Sequence, residues 1–350
     1  MKILKYIFII AALAVVFLTV YIATGKSNYE INVSKKTELS NQRLFRYVNN
    51  LQNFGDWKPW NNDAAAFKLD SIYKGKDAKV SWNGNEAFIK KSIPNDTIFL
   101  KLNVSGNDYD TKMYFDEVDG KTTVNWHVKG NLSFSEKFKL FFQGTPDSMI
   151  APIFEEGLIK INKNITESLK KFSIKNEGIV MIPEMFYIKQ IVESDIEGLG
   201  DKIFQSMEHM NNFAKSFELE PYGSPFTVFE NINVLSGNVR YSVCLPIKNF
   251  FSTAEGSDIV CEKLPAFHGY KTVLTGDYIH SDKAWTEVKK EIATKNLTQR
   301  ADLKPISIYK TSILTTQKTS EWITEFIIPV NETVIPIIDT PATDTLSVNR

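Results

Sequence analysis

The decapeptide at 321–330, EWITEFIIPV, sets a single carboxylate inside a run that otherwise reads as a buried strand. Strand side chains alternate faces, so Ile323, Glu325 and Ile327 share one face while Thr324, Phe326 and Ile328 share the other. An ionised carboxylate taken out of water without partners is costly, so Glu325 is paired, protonated, or placed to meet something cationic or polar. Two chemistries suit such a group. Aromatic rings beside it would bind a hydrophobic cation through their quadrupoles and the carboxylate charge. A nearby tyrosine would make it half of a general acid and base pair, because burial raises a carboxyl pKa toward neutrality.

Other chemistry has little support in the residues. The four histidines, His127, His209, His268 and His280, are scattered and show no metal-ligand spacing. Cys244 and Cys261 form no CxxC motif, and whether they pair is left open by the sequence. No metal or cofactor site is expected, since the GxSxG, Walker and GxGxxG patterns are all missing. The 41 Lys and Arg balance 41 Asp and Glu, and no dense basic cluster stands out, so nucleic acid is not an expected partner.

The elements that would position these residues begin with an apolar segment. Tyr6 to Ala23 runs 18 residues without a charge behind Lys2 and Lys5, and a helix that long spans about 27 Å, close to the hydrocarbon thickness of a bilayer. Residues 1–25 are therefore expected to be a transmembrane anchor, with a cleaved signal peptide as the alternative. The two lysines would keep the N-terminus in the cytoplasm and put the soluble part on the periplasmic side, or leave it secreted if cleavage occurs. A length of 350 residues suggests two further domains.

A strand at 29–37, a short helix from a Ser40 cap to Leu51, and short alternating segments (AFKLDSIY, KVSW, EAFIKKSI, TIFLKLNV, TKMYFDEV, TTVNWHVKG) come first. Breaks such as NGN, PND and SGND mark hairpin turns of an antiparallel meander. A long helix follows from Thr145 or Asp147 to about Phe172, with Ile150, Phe154, Leu158, Ile161 and Ile165 on one face. This order, with Trp57-Lys58-Pro59-Trp60 after the first helix, resembles the SRPBCC (START-like, polyketide-cyclase-like) helix-grip family over residues 28–174. The resemblance implies an apolar cavity, here lined by Trp82, Trp126, Phe115 and Phe154. The same rings are ordinary core material.

A boundary is expected at the polar stretch 175–178. Beyond it come a strand at 178–194, a helix at 200–217 and a second helix at 281–297 that Ser281 can cap. Pro225 and Pro305 stand 80 residues apart, as do Phe229 and Tyr309, while Pro246 and Pro329 stand 83 apart. Residues 179–330 thus read as two copies of a strand-helix-strand-strand unit, whose junction makes a cleft; Glu325 matches Ser242. The fold class is α+β: an N-terminal transmembrane helix, a helix-grip domain, then a duplicated β-α-β-β domain. Cys244-Leu245-Pro246-Ile247, Leu264-Pro265-Ala266, Gly276-Asp277-Tyr278 before Trp285, Pro305 with Tyr309, and Thr324-Glu325-Phe326-Ile327-Ile328-Pro329-Val330 resemble the GyrI-like family, the bacterial transcription-activator effector-binding domain. That resemblance implies an aromatic-walled cleft for small hydrophobic or cationic molecules, with Glu325 at its floor and Tyr278, Trp285 and Tyr309 as contacts. Phe229 and Tyr241 join them by symmetry.

Regulators of that family couple such a domain to a helix-turn-helix DNA reader, which does not precede the domain here. The expectation is a membrane-anchored protein that senses or sequesters a small molecule. Whether it is an enzyme is left open, with a binder favoured; the alternatives are a hydrolase using Glu325 and Tyr278, and an envelope scaffold without ligand. Residues 331–350 are expected to be a loose tail.

Overall fold

A computed structural model of the chain describes residues 2–60, 66–195, 199–233, 238–254, 256–312, 315–316 and 318–331. The expected tail lies outside these residues apart from Asn331. The chain divides into two compact units, Met1–Glu167 and Ser168–Arg350.

The first unit opens with helix α1, Lys2–Thr24, whose apolar side chains are exposed along nearly its whole length. Among the described residues it is the one helix long and apolar enough to cross a membrane. Strand β1 (Asn28–Thr37) leads into α2 (Asn41–Val48), a single 3-10 turn and the short α3 (Phe54–Trp57). Ser40 stands at the N-cap of α2 but makes no capping hydrogen bond, and that helix stops three residues before the expected Leu51. Six strands follow: β2 (Lys68–Leu69), β3 (Lys79–Trp82), β4 (Asn85–Ile93), β5 (Thr97–Val104), β6 (Asn107–Val118) and β7 (Lys121–Asn131). They form an antiparallel sheet in the order β1-β7-β6-β5-β4-β3-β2. Helix α4 (Phe134–Gln143), which is not among the elements expected from the sequence, precedes the long α5 (Pro146–Lys170). Phe154 of α5 packs edge-on against Trp126 of β7 at 4.9 Å, which lays the helix on the sheet.

Among the described residues the second unit is one eight-stranded antiparallel sheet with two α-helices. Its elements are β8 (Ser173–Ile182), β9 (Met185–Asp195), α6 (Leu199–Ser216), β10 (Phe226–Asn233), β11 (Asn238–Ile247), β12 (Ile259–Leu264), β13 (Phe267–Thr275), α7 (Ser281–Thr294), β14 (Ile306–Thr311) and β15 (Ile323–Pro329). The order across the sheet is β12-β9-β11-β10-β14-β15-β13-β8. Three expectations change here. The polar stretch 175–178 lies within β8, and the single strand expected at 178–194 is two strands toward opposite ends of the sheet. Pro183 explains the break, since it has no N–H to give a ladder and restrains the residue before it. Ser281 does not cap α7; Asp277 caps the preceding 3-10 turn by accepting from the Ile279 N–H at 3.1 Å.

The register shows the duplication directly. At the centre of the sheet Thr227 lies opposite Ser307, flanked by the pairs Phe226 with Ile308 and Val228 with Ile306. A two-fold axis that carries residue i to i+80 maps each of these pairs onto the set, so the two halves meet at Thr227 and Ser307. Both halves also carry a bulge at the matching place, between Phe229 and Asn231 and between Tyr309 and Thr311. Each half lends its first strand to the other: β8 borders β13, and β12 borders β9. Such an exchange covers sheet edges that a lone half would leave unpaired.

Candidate functional site: an aromatic seam and a second cavity

Helices α6 and α7 cover one face of the second sheet. Ile203, Met207, Met210 and Ala214 of α6 pack with Tyr241, Val243 and Leu245 of β11 and with Tyr309 of β14. Ala284 of α7 packs with Leu274 and Phe326, and Trp285 meets the Phe326 ring at 4.9 Å. Cross-strand partners share a face. Thr324 opposes Tyr309 and Leu274, and Phe326 opposes Ser307 and Thr272, so Thr324 and Phe326 belong to the helix-covered face. Glu325, between them, points out of the opposite face with its cross-strand neighbours Ile308 and Val273.

Five of the six residues expected in the cleft therefore gather without the sixth. Phe229 stands 6.2 Å from both Tyr241 and Trp285, which links the two halves across the seam. Tyr278 packs edge-on against Tyr309 at 5.3 Å and lies tilted over Trp322 at 4.6 Å. The Tyr309 and Thr227 hydroxyls are 3.1 Å apart, and burial holds the Tyr309 phenol well above its ordinary pKa. Phe229, Trp285 and Tyr278 remain half-buried, while Tyr241 and Tyr309 are buried. On the same face of the sheet, Ser307 and Thr324 are buried with hydroxyls that have no hydrogen-bond partner among the described residues. Phe326, Trp322, Ser307 and Thr324 are not among the residues that the sequence singles out for the cleft, although alternation along EWITEFIIPV places Thr324 and Phe326 together on the face opposite to Glu325.

Glu325 is paired. Its Oε1 accepts a hydrogen bond from Lys271 Nζ at 3.3 Å, and the same ammonium meets Glu177 Oε2 at 2.8 Å. Both the Lys271 and Glu325 side chains are 17% exposed. Glu177 reaches Lys271 because it is the extra residue of a bulge: Lys271 opposes Gly178 and Thr272 opposes Asn176. Gly178, at φ +87°, takes the left-handed backbone that the bulge needs. The Lys271 ammonium lowers the Glu177 carboxyl pKa, and the two carboxylates raise that of Lys271 although burial opposes the rise. The other half places Lys189 at the position matching Lys271, where it meets Glu262 at 2.7 Å. Glu262 also accepts from the Tyr187 hydroxyl at 2.8 Å. Paired lysines and glutamates thus mark this face in both halves, and Glu325 and Tyr278 are not brought together.

The cysteines are free. Cys244 opposes Lys189 of β9, whereas Cys261 opposes Ile188, so the thiols lie on opposite faces with a strand between them. His280 is buried, stacked on Phe172 at 3.7 Å, with Nε2 2.8 Å from the Leu169 carbonyl oxygen. No group of three or more His, Cys, Asp or Glu able to hold a metal ion occurs among the described residues.

The first unit holds a cavity of about 310 Å³ between α4, α5 and the β3–β4 and β5–β6 ends of the sheet. Of the four rings expected to line it, Trp82 and Phe154 do. Trp126 and Phe115 do not: Trp126 is locked between Trp57 and Phe154, and Phe115 packs on Phe45 at 6.0 Å. Trp60 and Tyr109 take their places beside Phe154, at 5.6 and 5.9 Å. Lys58, Glu136 and Lys139 supply charge to the wall. Glu136 is itself held by the Ser133 N–H and hydroxyl at 2.8 Å and by Asn107 Nδ2 at 3.0 Å.

No family model and no curated protein matches the chain. Among solved structures, similar ones include the EcmrR C-terminal domain, 17% identical, over 46% of this chain and 99% of that one, with a TM-score of 0.38. SAV2435 bound to tetraphenylphosphonium is 12% identical over 45% of this chain and 94% of its own, at 0.33. A Staphylococcus aureus protein of unknown function, SA2116, is 11% identical over 40% and 98%, at 0.32. At these identities and scores the likeness carries no residue role into this chain.

Proposed function

We propose that the chain binds a small hydrophobic molecule on the aromatic seam of its second unit, as a membrane-anchored sensing or sequestering protein. The observation that carries this reading is that the half-buried rings Phe229, Trp285 and Tyr278 gather on the sheet face that also holds Ser307 and Thr324, whose buried hydroxyls have no hydrogen-bond partner among the described residues. Buried polar groups normally find partners, and a ligand with one polar group and an apolar body supplies both needs. The rings alone favour a cation only modestly, because Glu325 lies behind the sheet and its charge is met by Lys271. Hydrolysis by Glu325 with Tyr278 loses its basis, since the sheet stands between the two.

Titration calorimetry of the full chain with tetraphenylphosphonium and with uncharged triphenylphosphine oxide tests the proposal. Saturable binding of either, weakened about tenfold or more by Trp285→Ala and little changed by Trp285→Phe, is expected. Binding that ignores Trp285, or none of either probe, overturns the seam as the site. A second reading is favoured by the 310 Å³ cavity of the first unit, which has the size and mixed wall of a ligand site. Binding lost on Ile153→Trp, which fills that cavity, and kept on Trp285→Ala would move the site there.

A further inference from the structure

Helix α4 carries four phenylalanines that the protein does not cover: Phe134, Phe138, Phe141 and Phe142 are 49%, 46%, 49% and 65% exposed. At positions i, i+4, i+7 and i+8 they fall within about 100° of the helix circumference. The far side of the helix carries Leu140 and Glu136, which line the cavity of the first unit. Scattered exposed hydrophobics are ordinary, but a continuous aromatic stripe on one short helix is not.

The place of α4 in the fold says what covers the stripe. Lys137 of α4 donates to the carbonyl oxygens of Ala23 at 3.0 Å and Gly25 at 2.7 Å, at the C-terminal end of α1. These contacts satisfy carbonyls that a helix end leaves open and set a cation at its negative pole. Phe141 packs edge-on against Tyr21 of α1 at 6.2 Å, and Tyr21 is itself 60% exposed. The Phe stripe is thus continuous with the exposed apolar surface of α1, at the level where α1 ends and the first soluble strand begins.

We infer that α4 lies in the headgroup layer of the bilayer that holds α1, with its four phenylalanines directed into the acyl boundary. The inference rests on the reading of α1 as a membrane span. An amphipathic helix binds in this way through its apolar face, and aromatic side chains favour that layer. The arrangement sets the cavity one helix away from the leaflet.

The test uses the full chain reconstituted in phosphatidylcholine and phosphatidylglycerol vesicles that include a lipid with a carbene-forming group near the top of its acyl chain. After irradiation and digestion, labelled peptides are expected from residues 134–142 as well as from α1. The pair Phe138→Ser and Phe142→Ser, with fold checked by circular dichroism, is expected to cut α4 labelling about fivefold or more and to leave α1 labelling unchanged. Label on α1 without label on α4 overturns this inference alone. Absence of label on both overturns the membrane anchor and the inference together. A label on α4 that the double substitution leaves intact shows that the stripe does not hold the helix at the surface, and also overturns it.

Discussion

Lys271 Nζ donates to Glu325 Oε1 at 3.3 Å on the face of the second sheet opposite to the two helices. The carboxylate that looks in sequence like a ligand anchor is, in the fold, one end of a Glu177–Lys271–Glu325 bridge. Glu325→Gln should therefore leave probe affinity within about twofold and cost about 1 kcal/mol of stability. Lys271→Met should cost more, about 1–3 kcal/mol, because it removes the cation that Glu325 shares with Glu177 and leaves Glu177 only Lys175, at 3.8 Å. Urea unfolding curves beside the calorimetric titrations check both; a tenfold loss of affinity in Glu325→Gln would return the glutamate to the site.

The same bridge sets a pH dependence. The folded-state pKa of Glu177 lies below its unfolded value, so its contribution is present above about pH 4.3 and is lost as the pH falls through the folded value. The raised pKa of Lys271 gives a contribution that is full below about pH 10.4 and lost as the pH rises through its folded value. Unfolding free energies should accordingly drop in the wild type as the pH falls below about 4.3, and drop less in Glu177→Gln. Equal acid slopes for the two proteins would contradict this.

Thr324→Val separates ligand binding from folding. The hydroxyl is buried and has no hydrogen-bond partner among the described residues, so replacing it with a methyl of like shape should raise stability by about 1 kcal/mol. If a ligand's polar group meets that hydroxyl, the same change should weaken binding about tenfold. Opposite signs in melting and titration are the expected signature, and a loss of stability would show that the hydroxyl has a partner.

The two thiols should differ in reactivity. Cys244 is fully buried and its thiol pKa is raised well above the ordinary value, whereas Cys261 is half-buried. Ellman's reagent should modify one thiol in the native protein and the second only after unfolding, and non-reducing mass spectrometry should show no disulfide. A native intramolecular disulfide would require β9 to leave its place between β11 and β12.

Gly157 of α5 seats the helix on the first sheet. A Cβ there would lie 2.8 Å from the Trp126 ring and 3.3 Å from the Trp57 carbonyl oxygen. Gly157→Ala gains about 1 kcal/mol of helix propensity, yet the clash should make it a net loss of about 1–3 kcal/mol. Thermal unfolding reads the sign; a higher melting temperature would mean that the helix is not held there.

The sequence by itself determined what is local or repeated. A charge-free run long enough to span a bilayer, the alternation in EWITEFIIPV, and the spacings of 80 and 83 residues each follow from side-chain periods that need no distant contact. They sufficed for α1, for the meander and long helix of the first unit, and for the duplication whose axis passes between Thr227 and Ser307. Tertiary structure alone decided which face of β15 the helices cover. Alternation says that Glu325 and Phe326 point apart, but not which of them points toward α7. Nor could pattern show that β8 and β9 part at Pro183 toward opposite ends of the sheet, because strand exchange between halves depends on pairing across about 70 to 100 residues. The aromatic seam was legible as a set of residues and the carboxylate as a partner in something; the physical reason they separate is the sheet itself.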